Sequence, residues 1–144
     1  MLESAPSMRR TAFLLLGAAL APTALTMIWA PLLWYEWFPG VAERGAFNAH
    51  FVRDLGCVFF VAALSFLWAV KAEARARSAV IASTGFLVLH ALVHAGEAAA
   101  GAHHMTGRLL GADFAFVYAP AALAVWAAAL RSCPEVHRSI TNES

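Results

Sequence analysis

Four long apolar stretches, separated by short polar connectors, dominate the pattern of hydrophobic and polar positions along the chain. The stretches cover residues 11–35, 50–70, 78–99 and 109–130. An α-helix rises about 1.5 Å per residue and the hydrocarbon core of a bilayer is about 30 Å thick, so each stretch is long enough to cross a membrane. The connectors are too short to hold separate domains. The pattern predicts an all-α fold with a single domain over residues 1–144, an integral membrane four-helix bundle.

The first stretch also has features of a secretory signal peptide. Arg9 and Arg10 precede an apolar run in which Ala19-Leu20-Ala21 resembles a small-residue cleavage site. The apolar region of a signal peptide is typically about 7–15 residues long, whereas this run continues to Tyr35. We therefore expect the stretch to be retained as a span. Cleavage would leave a protein of three spans.

Local signals predict where the helices begin and bend. Asn48 follows the Pro39-Gly40 turn and is a residue type favoured as the N-cap of the second stretch. Proline removes a backbone N–H from the helical hydrogen bonds and therefore kinks a helix. We expect such kinks at Pro22 and Pro31 in the first stretch and at Pro120 in the fourth.

Composition agrees with a lipid environment. Hydrophobic residues make up 61% of the chain and charged residues 13%, and the mean hydropathy is +0.66, outside the range of an ordinary soluble domain. The lipid bilayer is the expected partner. A net charge of +1, with few and scattered basic residues, argues against nucleic-acid binding. Cys57 and Cys133 are expected on opposite sides of the membrane midplane, so no structural disulfide is predicted.

The distribution of basic residues predicts the orientation in the membrane. Most of them belong to the N-terminus, the second connector and the C-terminal tail, which share one side: Arg9, Arg10, Lys71, Arg75, Arg77, Arg131 and Arg138. The connectors on the other side hold only Arg44 and Arg108. By the positive-inside rule both termini are cytoplasmic. We also expect a homo-oligomer, because four short helices enclose little interior.

Ionisable residues within two of the stretches fall at one predicted depth. At about 100° per residue they form one stripe on each helix. They are His50, Asp54 and Cys57 in the second stretch, and His90, His94 and Glu97 in the third. Because consecutive spans run antiparallel, the two stripes lie level with each other. The sequence therefore predicts a polar cluster between the second and third helices, in the outer third of the membrane.

Further polar residues reach the same surface. An ionisable group within a span costs about 2.5–3.5 kcal/mol, so it usually has a partner, and Arg53 is the expected charge partner of the cluster. Glu36 ends the first stretch and Asp113 begins the fourth, at the level of the cluster. His103 and His104, in the third connector, are accessory candidates.

In a structural interpretation, the cluster only holds the second and third helices together. Arg53 then pairs with Glu97 or Asp54, and neutral histidines form hydrogen bonds in a solvated outer funnel. The protein would belong to the class of structural or interaction membrane proteins.

In a metal-binding interpretation, His90 and His94 lie four residues apart on one helix face. The ligand set is completed by His50 with Asp54 or Glu97. Zinc or copper suits imidazole ligands, iron suits imidazole mixed with carboxylate, and Cys57 would favour copper. A small polar ligand could use the same groups.

Two lesser alternatives involve haem and transport. A b-type haem would take one axial histidine from each helix, His50 with His90 or His94, and Arg53 would pair with a propionate. A transporter or proton relay would use the chain of His, Asp and Glu. The inner half of the spans holds mainly hydroxyl groups, which disfavours a channel through the monomer.

The stretch from Phe47 to Gly56, Phe-Asn-Ala-His-Phe-Val-Arg-Asp-Leu-Gly, followed by His90-x-x-x-His94, resembles small four-span bacterial inner-membrane proteins of unknown function. The resemblance implies the fold and the location, and it carries no activity with it. The chain contains no serine-nucleophile elbow, P-loop or GxGxxG motif, so these motifs identify no particular reaction.

Overall fold

A computed structural model describes residues 4–101 and 106–130 of the chain. The described residues form helices joined by turns and short irregular segments. The elements are α1 (Ser4–Trp29), α2 (Pro31–Trp37), α3 (Ala49–Ala99), α4 (Gly107–Asp113), a π-helical segment (Phe114–Tyr118) and α5 (Ala119–Ala129). The prediction of an all-α membrane bundle is confirmed.

Three helical stretches are long and apolar enough to cross a membrane: Ser7–Trp29, Ala49–Ala99 and Gly107–Ala129. The second of these is α3, which has 51 residues. A straight helix of that length would measure about 75 Å, more than twice the thickness of the hydrocarbon core. One helix of this kind cannot fit within the bilayer unless it changes direction.

α3 changes direction at Ala72, which has the non-helical backbone angles φ −143° and ψ 59°. Phe59 packs edge to face on Phe86, with ring centroids 5.2 Å apart, a contact that a straight helix cannot make. α3 is therefore a helical hairpin with a first arm, residues 49–71, and a second arm, residues 73–99. The sequence predicted a longer connector here, but its alanines and charged residues are good helix formers and keep their helical conformation.

The start of α3 and the end of α1 follow local sequence signals. Asn48 caps α3 as predicted, because its side chain accepts hydrogen bonds from two backbone N–H groups of the first turn, each at 3.1 Å. The predicted first span is not continuous: α1 ends at Trp29, and α2 begins at Pro31. Ala30 between them is non-helical, since the residue before a proline disfavours the α conformation.

The two other predicted kinks have different outcomes. Pro22 lies inside α1, which has helical structure on both sides of it. Pro120 lies in the first turn of α5, directly after the π-helical segment. The chain stays helical from Gly107 to Ala129, so the fourth predicted span is one continuous helix with a π-helical segment inside it.

α1 packs antiparallel to the first arm of α3 at very short distance. A Cβ atom placed on Gly56 would lie 2.8 Å from the Cβ of Met27 and 3.2 Å from the carbonyl oxygen of Ala24. A Cβ on Gly17 of α1 would lie 2.5 Å from Cγ of Leu67, which is closer than two carbon atoms can approach without a shift. Small residues of this kind let helix backbones approach closely in membranes.

The core lies between α1, the two arms of α3 and α5. Phe13 and Phe66 are fully buried and stack with ring centroids 5.9 Å apart. At one end of this core, Arg9 forms an ion pair with Glu73, which places the beginning of α1 beside the turn at Ala72. The opposite end is formed by the 38–48 loop, the end of α3 and α4, and is named the loop end below.

Candidate functional site

A buried carboxylate lies at the loop end. Asp113 is the last residue of α4 and is only 3% exposed. Arg44, in the 38–48 loop, donates a hydrogen bond from Nη2 to Oδ1 of Asp113 at 2.5 Å. His94, on the second arm of α3, has its Nδ1 3.1 Å from the same oxygen. Three separate segments of the chain therefore meet at one carboxylate oxygen.

Local sequence brings Arg44 and Asp113 together. Gly40 has a φ of +84°, in the left-handed region that favours glycine, and a Cβ there would lie 2.9 Å from the Leu109 side chain. Thr106 caps α4, since its hydroxyl oxygen accepts a hydrogen bond from the Leu109 N–H at 3.3 Å. The turn at Gly40 thus packs directly on the first part of α4, and the loop that follows reaches the end of that helix.

Imidazole groups extend the site along the second arm of α3. The rings of His90 and His94 meet edge to face, with centroids 4.7 Å apart. His90 also packs against Phe59 and Phe86, at centroid distances of 5.6 and 5.9 Å. The histidine pair therefore connects the buried carboxylate with an aromatic part of the core, an arrangement that offers no polar continuation toward the other end.

The charges at the loop end are largely matched. Arg44, with a side chain 17% exposed, lies between Asp113 and Glu97, whose Oε2 is 3.7 Å from Nη1 of Arg44. One atom is an exception: Oδ2 of Asp113 is buried and has no hydrogen-bond partner among the described residues. We call these five residues the Asp113 network: Arg44, His90, His94, Glu97 and Asp113.

His50 and Asp54 lie elsewhere. They form a pair of their own, with Nε2 of His50 3.5 Å from Oδ2 of Asp54, and their side chains are 88% and 65% exposed. Cys57 is exposed as well. The stripe expected from the sequence thus exists, but it points away from the bundle, because the opposite face of the same arm, which includes Gly56, packs on α1.

Arg53 has a different role from the expected charge partner. Its Nε donates a hydrogen bond to the carbonyl oxygen of Ile28 at 3.2 Å. Ile28 lies in the last turn of α1, where the backbone carbonyl oxygens have no N–H partner within the helix. Arg53 therefore stabilises the end of α1 and joins it to α3.

Sequence reasoning missed the central members of the site. It placed Asp113 at the correct surface without including it in the cluster, and it used Arg44 only as a marker of orientation. A usable signal was present, since Asp113 is the one acidic residue of the apolar stretch 109–130. A carboxylate in such a stretch needs a partner. The connectors on its side of the membrane hold only two basic residues, Arg44 and Arg108, so the choice of partner was narrow.

The metal and haem expectations lack a ligand set in the described part of the chain. Within residues 4–101 and 106–130, no three His, Cys, Asp or Glu side chains are grouped as a metal ion requires. The exposure of His50 also separates it from the histidines with which it was expected to bind metal or haem. His103, His104 and Cys133 lie outside the described residues.

The geometry supports hydrogen bonding and charge matching between segments of one membrane bundle. It also leaves one buried carboxylate oxygen able to accept a hydrogen bond. Comparisons with protein-family models, with curated proteins and with solved structures found no match for this chain.

Proposed function

We propose that this chain is a structural or interaction protein of a bacterial inner membrane, in which the Asp113 network fixes the loop end of the bundle. The observation that carries this proposal is the burial of Asp113 between Arg44 and His94, which come from two other segments of the chain. These groups direct their charges at one another, whereas a binding site would present them to a cavity.

The physical reason for such a network is positional. The 38–48 loop has no regular secondary structure, and hydrogen bonds to a buried carboxylate define its position relative to α3 and α4. Breaking a buried ion pair leaves an uncompensated charge, so alternative positions of the loop are strongly disfavoured. The proposed role is to hold one defined outer surface for contact with other membrane components.

The bundle has a defined orientation in the membrane under this proposal. The end with Arg9 and the turn at Ala72 is cytoplasmic, because the surrounding segments hold most of the basic residues. Both termini are then cytoplasmic, and the loop end faces the periplasm. The alternation of α1, the two arms of α3 and the helix from Gly107 to Ala129 supports four crossings of the membrane.

Replacing His94 tests the structural role. In His94→Leu we expect the free energy of unfolding in detergent to fall by about 1.5–3 kcal/mol, since a hydrogen bond to a charged group is lost. The measurement is thermal or denaturant unfolding followed by circular dichroism, combined with elemental analysis of untagged protein for iron, copper and zinc. His50→Leu is the matched control, measured with the protein dilute enough in detergent to keep the chain monomeric: its side chain is exposed there, and we expect a change within about 0.5 kcal/mol.

The same experiment distinguishes a structural network from a metal site. We expect a metal-to-protein ratio far below one in both the wild type and His94→Leu. A ratio near one that is lost in His94→Leu, with unchanged unfolding, would contradict the structural proposal and establish metal binding.

Oδ2 of Asp113 favours a second candidate, a site for a small polar ligand. A buried oxygen without a donor is energetically unfavourable by about 1–3 kcal/mol, and a ligand with an N–H or O–H group would remove that penalty. His94 and Arg44, on the neighbouring oxygen, would orient it.

Ammonium is the simplest probe of this second candidate. If the site accepts an N–H donor, ammonium chloride should raise the melting temperature of the wild type above its value in sodium chloride at equal ionic strength, increasingly with concentration. Asp113→Asn should show no difference between the two salts. Equal melting of the wild type in both salts would eliminate ammonium-type ligands and leave the structural role.

A further inference from the structure

The outward face of the first arm of α3 carries ionisable groups toward the membrane. His50 and Asp54 lie at its outer end with 88% and 65% of their side chains exposed. Asp54 is about 7 Å along the helix from its start, beyond the first turn and at the edge of the hydrocarbon region. Charged groups in a span usually face a partner rather than lipid. The structure of one chain supplies no cover for this face.

The same face continues as an apolar stripe toward the other end. Its residues are spaced by three or four positions and are all exposed: Cys57, Val61, Leu64 and Trp68, after His50 and Asp54. We call these six residues the outer stripe. At its far end a groove of about 520 Å³ is lined by Val61, Leu64, Trp68, Lys71 and Ala79, among others. The stripe therefore combines a polar end, an apolar middle and a concave end with an aromatic side chain.

We propose that the outer stripe is the contact surface for a second copy of this chain, inserted in the same orientation and related by a two-fold axis along the membrane normal. This inference deepens the proposed interaction role and rests on it. Two copies with the same orientation hold the same residues at the same depth, so the stripe meets itself along its whole length.

Charge complementarity supports a second copy as the occupant. Asp54 lies one helical turn below His50 on the same face, so across a two-fold axis each carboxylate lies within one turn of the imidazole of the other copy. Two equivalent His–Asp contacts result, as an isologous interface requires. At the other end, the indole of Trp68 can occupy the groove of the opposing chain, in the way that aromatic residues anchor interfaces.

Disulfide cross-linking in native membranes tests the surface. With Cys133→Ser as background, mild oxidation should convert most of the chain into a dimer through Cys57. In a cysteine-free background, Val61→Cys and Leu64→Cys should also form dimers. Leu14→Cys on α1 and Ile81→Cys on the second arm are matched controls, since both side chains are about as exposed, and they should remain monomeric.

The charged end of the stripe is tested separately. Asp54→Asn should raise the dimer dissociation constant about tenfold in lipid vesicles, as expected for an interhelical polar contact. The double exchange His50→Asp with Asp54→His should restore self-association, because the His–Asp contacts are retained with their partners exchanged. A mixture of wild type and exchanged chains should form mixed dimers readily, because each imidazole then lies at the same depth as a carboxylate of the other chain.

Each outcome separates the interface from the Asp113 network. Equal cross-linking at stripe and control positions, or a monomer at all lipid dilutions, would overturn the proposal and leave lipid headgroups as the cover of His50 and Asp54. If the interface exists but the network is not structural, Asp54→Asn weakens dimerisation while His94→Leu leaves unfolding unchanged. The reverse pair of results would uphold the network and reject the interface.

Discussion

Replacing Asp113 by leucine should lower the free energy of unfolding in detergent by about 3 kcal/mol, because Arg44 then keeps a buried charge without its closest partner. The value is at the lower end of the range for broken buried ion pairs, since Arg44 retains Glu97 at 3.7 Å and is 17% exposed. His94 also loses the oxygen to which its Nδ1 is directed. The measurement is equilibrium unfolding in detergent, followed by circular dichroism.

The chain offers a close control for this substitution. Arg108 and Glu43 form another ion pair between the same loop and α4, with a distance of 3.7 Å and side chains 73% and 40% exposed. Glu43→Leu removes a charge partner at the surface and should change stability by less than about 1 kcal/mol. The two ion pairs join the same elements, so a difference between the stability losses of Asp113→Leu and Glu43→Leu measures the effect of burial.

A double substitution separates the loss of the ion pair from the cost of leaving one buried charge without a partner. Arg44→Met combined with Asp113→Leu removes both charges and should recover much of the stability lost in Asp113→Leu, because hydrophobic replacement of a buried pair is often neutral. If Asp113→Leu costs no more than Glu43→Leu, the network does not hold the loop end. The structural proposal would then have to be abandoned.

The helices follow from the sequence more directly than the site does. Long uncharged runs predict membrane spans because a buried backbone must form its own hydrogen bonds, and Asn48 predicts the start of α3 because its side chain satisfies free N–H groups. These signals are local. They determine that a helix exists and where it begins, but they do not determine which of its faces is inward.

The outer stripe shows this limit. Helical periodicity correctly groups His50, Asp54 and Cys57 on one face, but it gives only relative angles around the helix. In a soluble helix the polar face would be assigned to water and the apolar face to the core. The first arm of α3 is apolar on nearly all faces, so the small Gly56 face, and not the polar stripe, determines what packs on α1.

The predicted cluster did not include Asp113 or Arg44, for two physical reasons. The position of Arg44 depends on the left-handed turn at Gly40 and on its packing against α4, which are tertiary contacts. After Asp113 the helix enters the π-helical segment, where the N–H of Ala119 bonds to the carbonyl of Phe114. A π-helical turn contains an extra residue, so an ideal helical period fitted to residues 109–130 assigns the wrong faces on one side of it.

The contact between α1 and α3 gives the second large expected effect. Gly56→Leu should destabilise the protein by about 3 kcal/mol or more, because overpacking of this kind forces a backbone shift. The new Cβ would lie 2.8 Å from the Cβ of Met27 and 3.2 Å from the backbone oxygen of Ala24, which has no rotamer with which to move away. α1 would have to separate from the arm, and the hydrogen bond from Arg53 to Ile28 would break.

Gly85 provides the matched control on the other arm of α3. A Cβ on Gly85 meets no atom within 4 Å, and leucine is a better helix former than glycine by roughly 0.8 kcal/mol, so Gly85→Leu should leave stability unchanged or raise it. Both variants introduce the same side chain into the same hairpin, and denaturant unfolding compares them directly. Equal stability of the two would mean that α1 does not approach the first arm closely. A loss of stability confined to Gly56→Leu would show that the absence of a side chain at Gly56 lets α1 approach this face of the first arm. Because this face packs on α1, the opposite face, with His50 and Asp54, points outward.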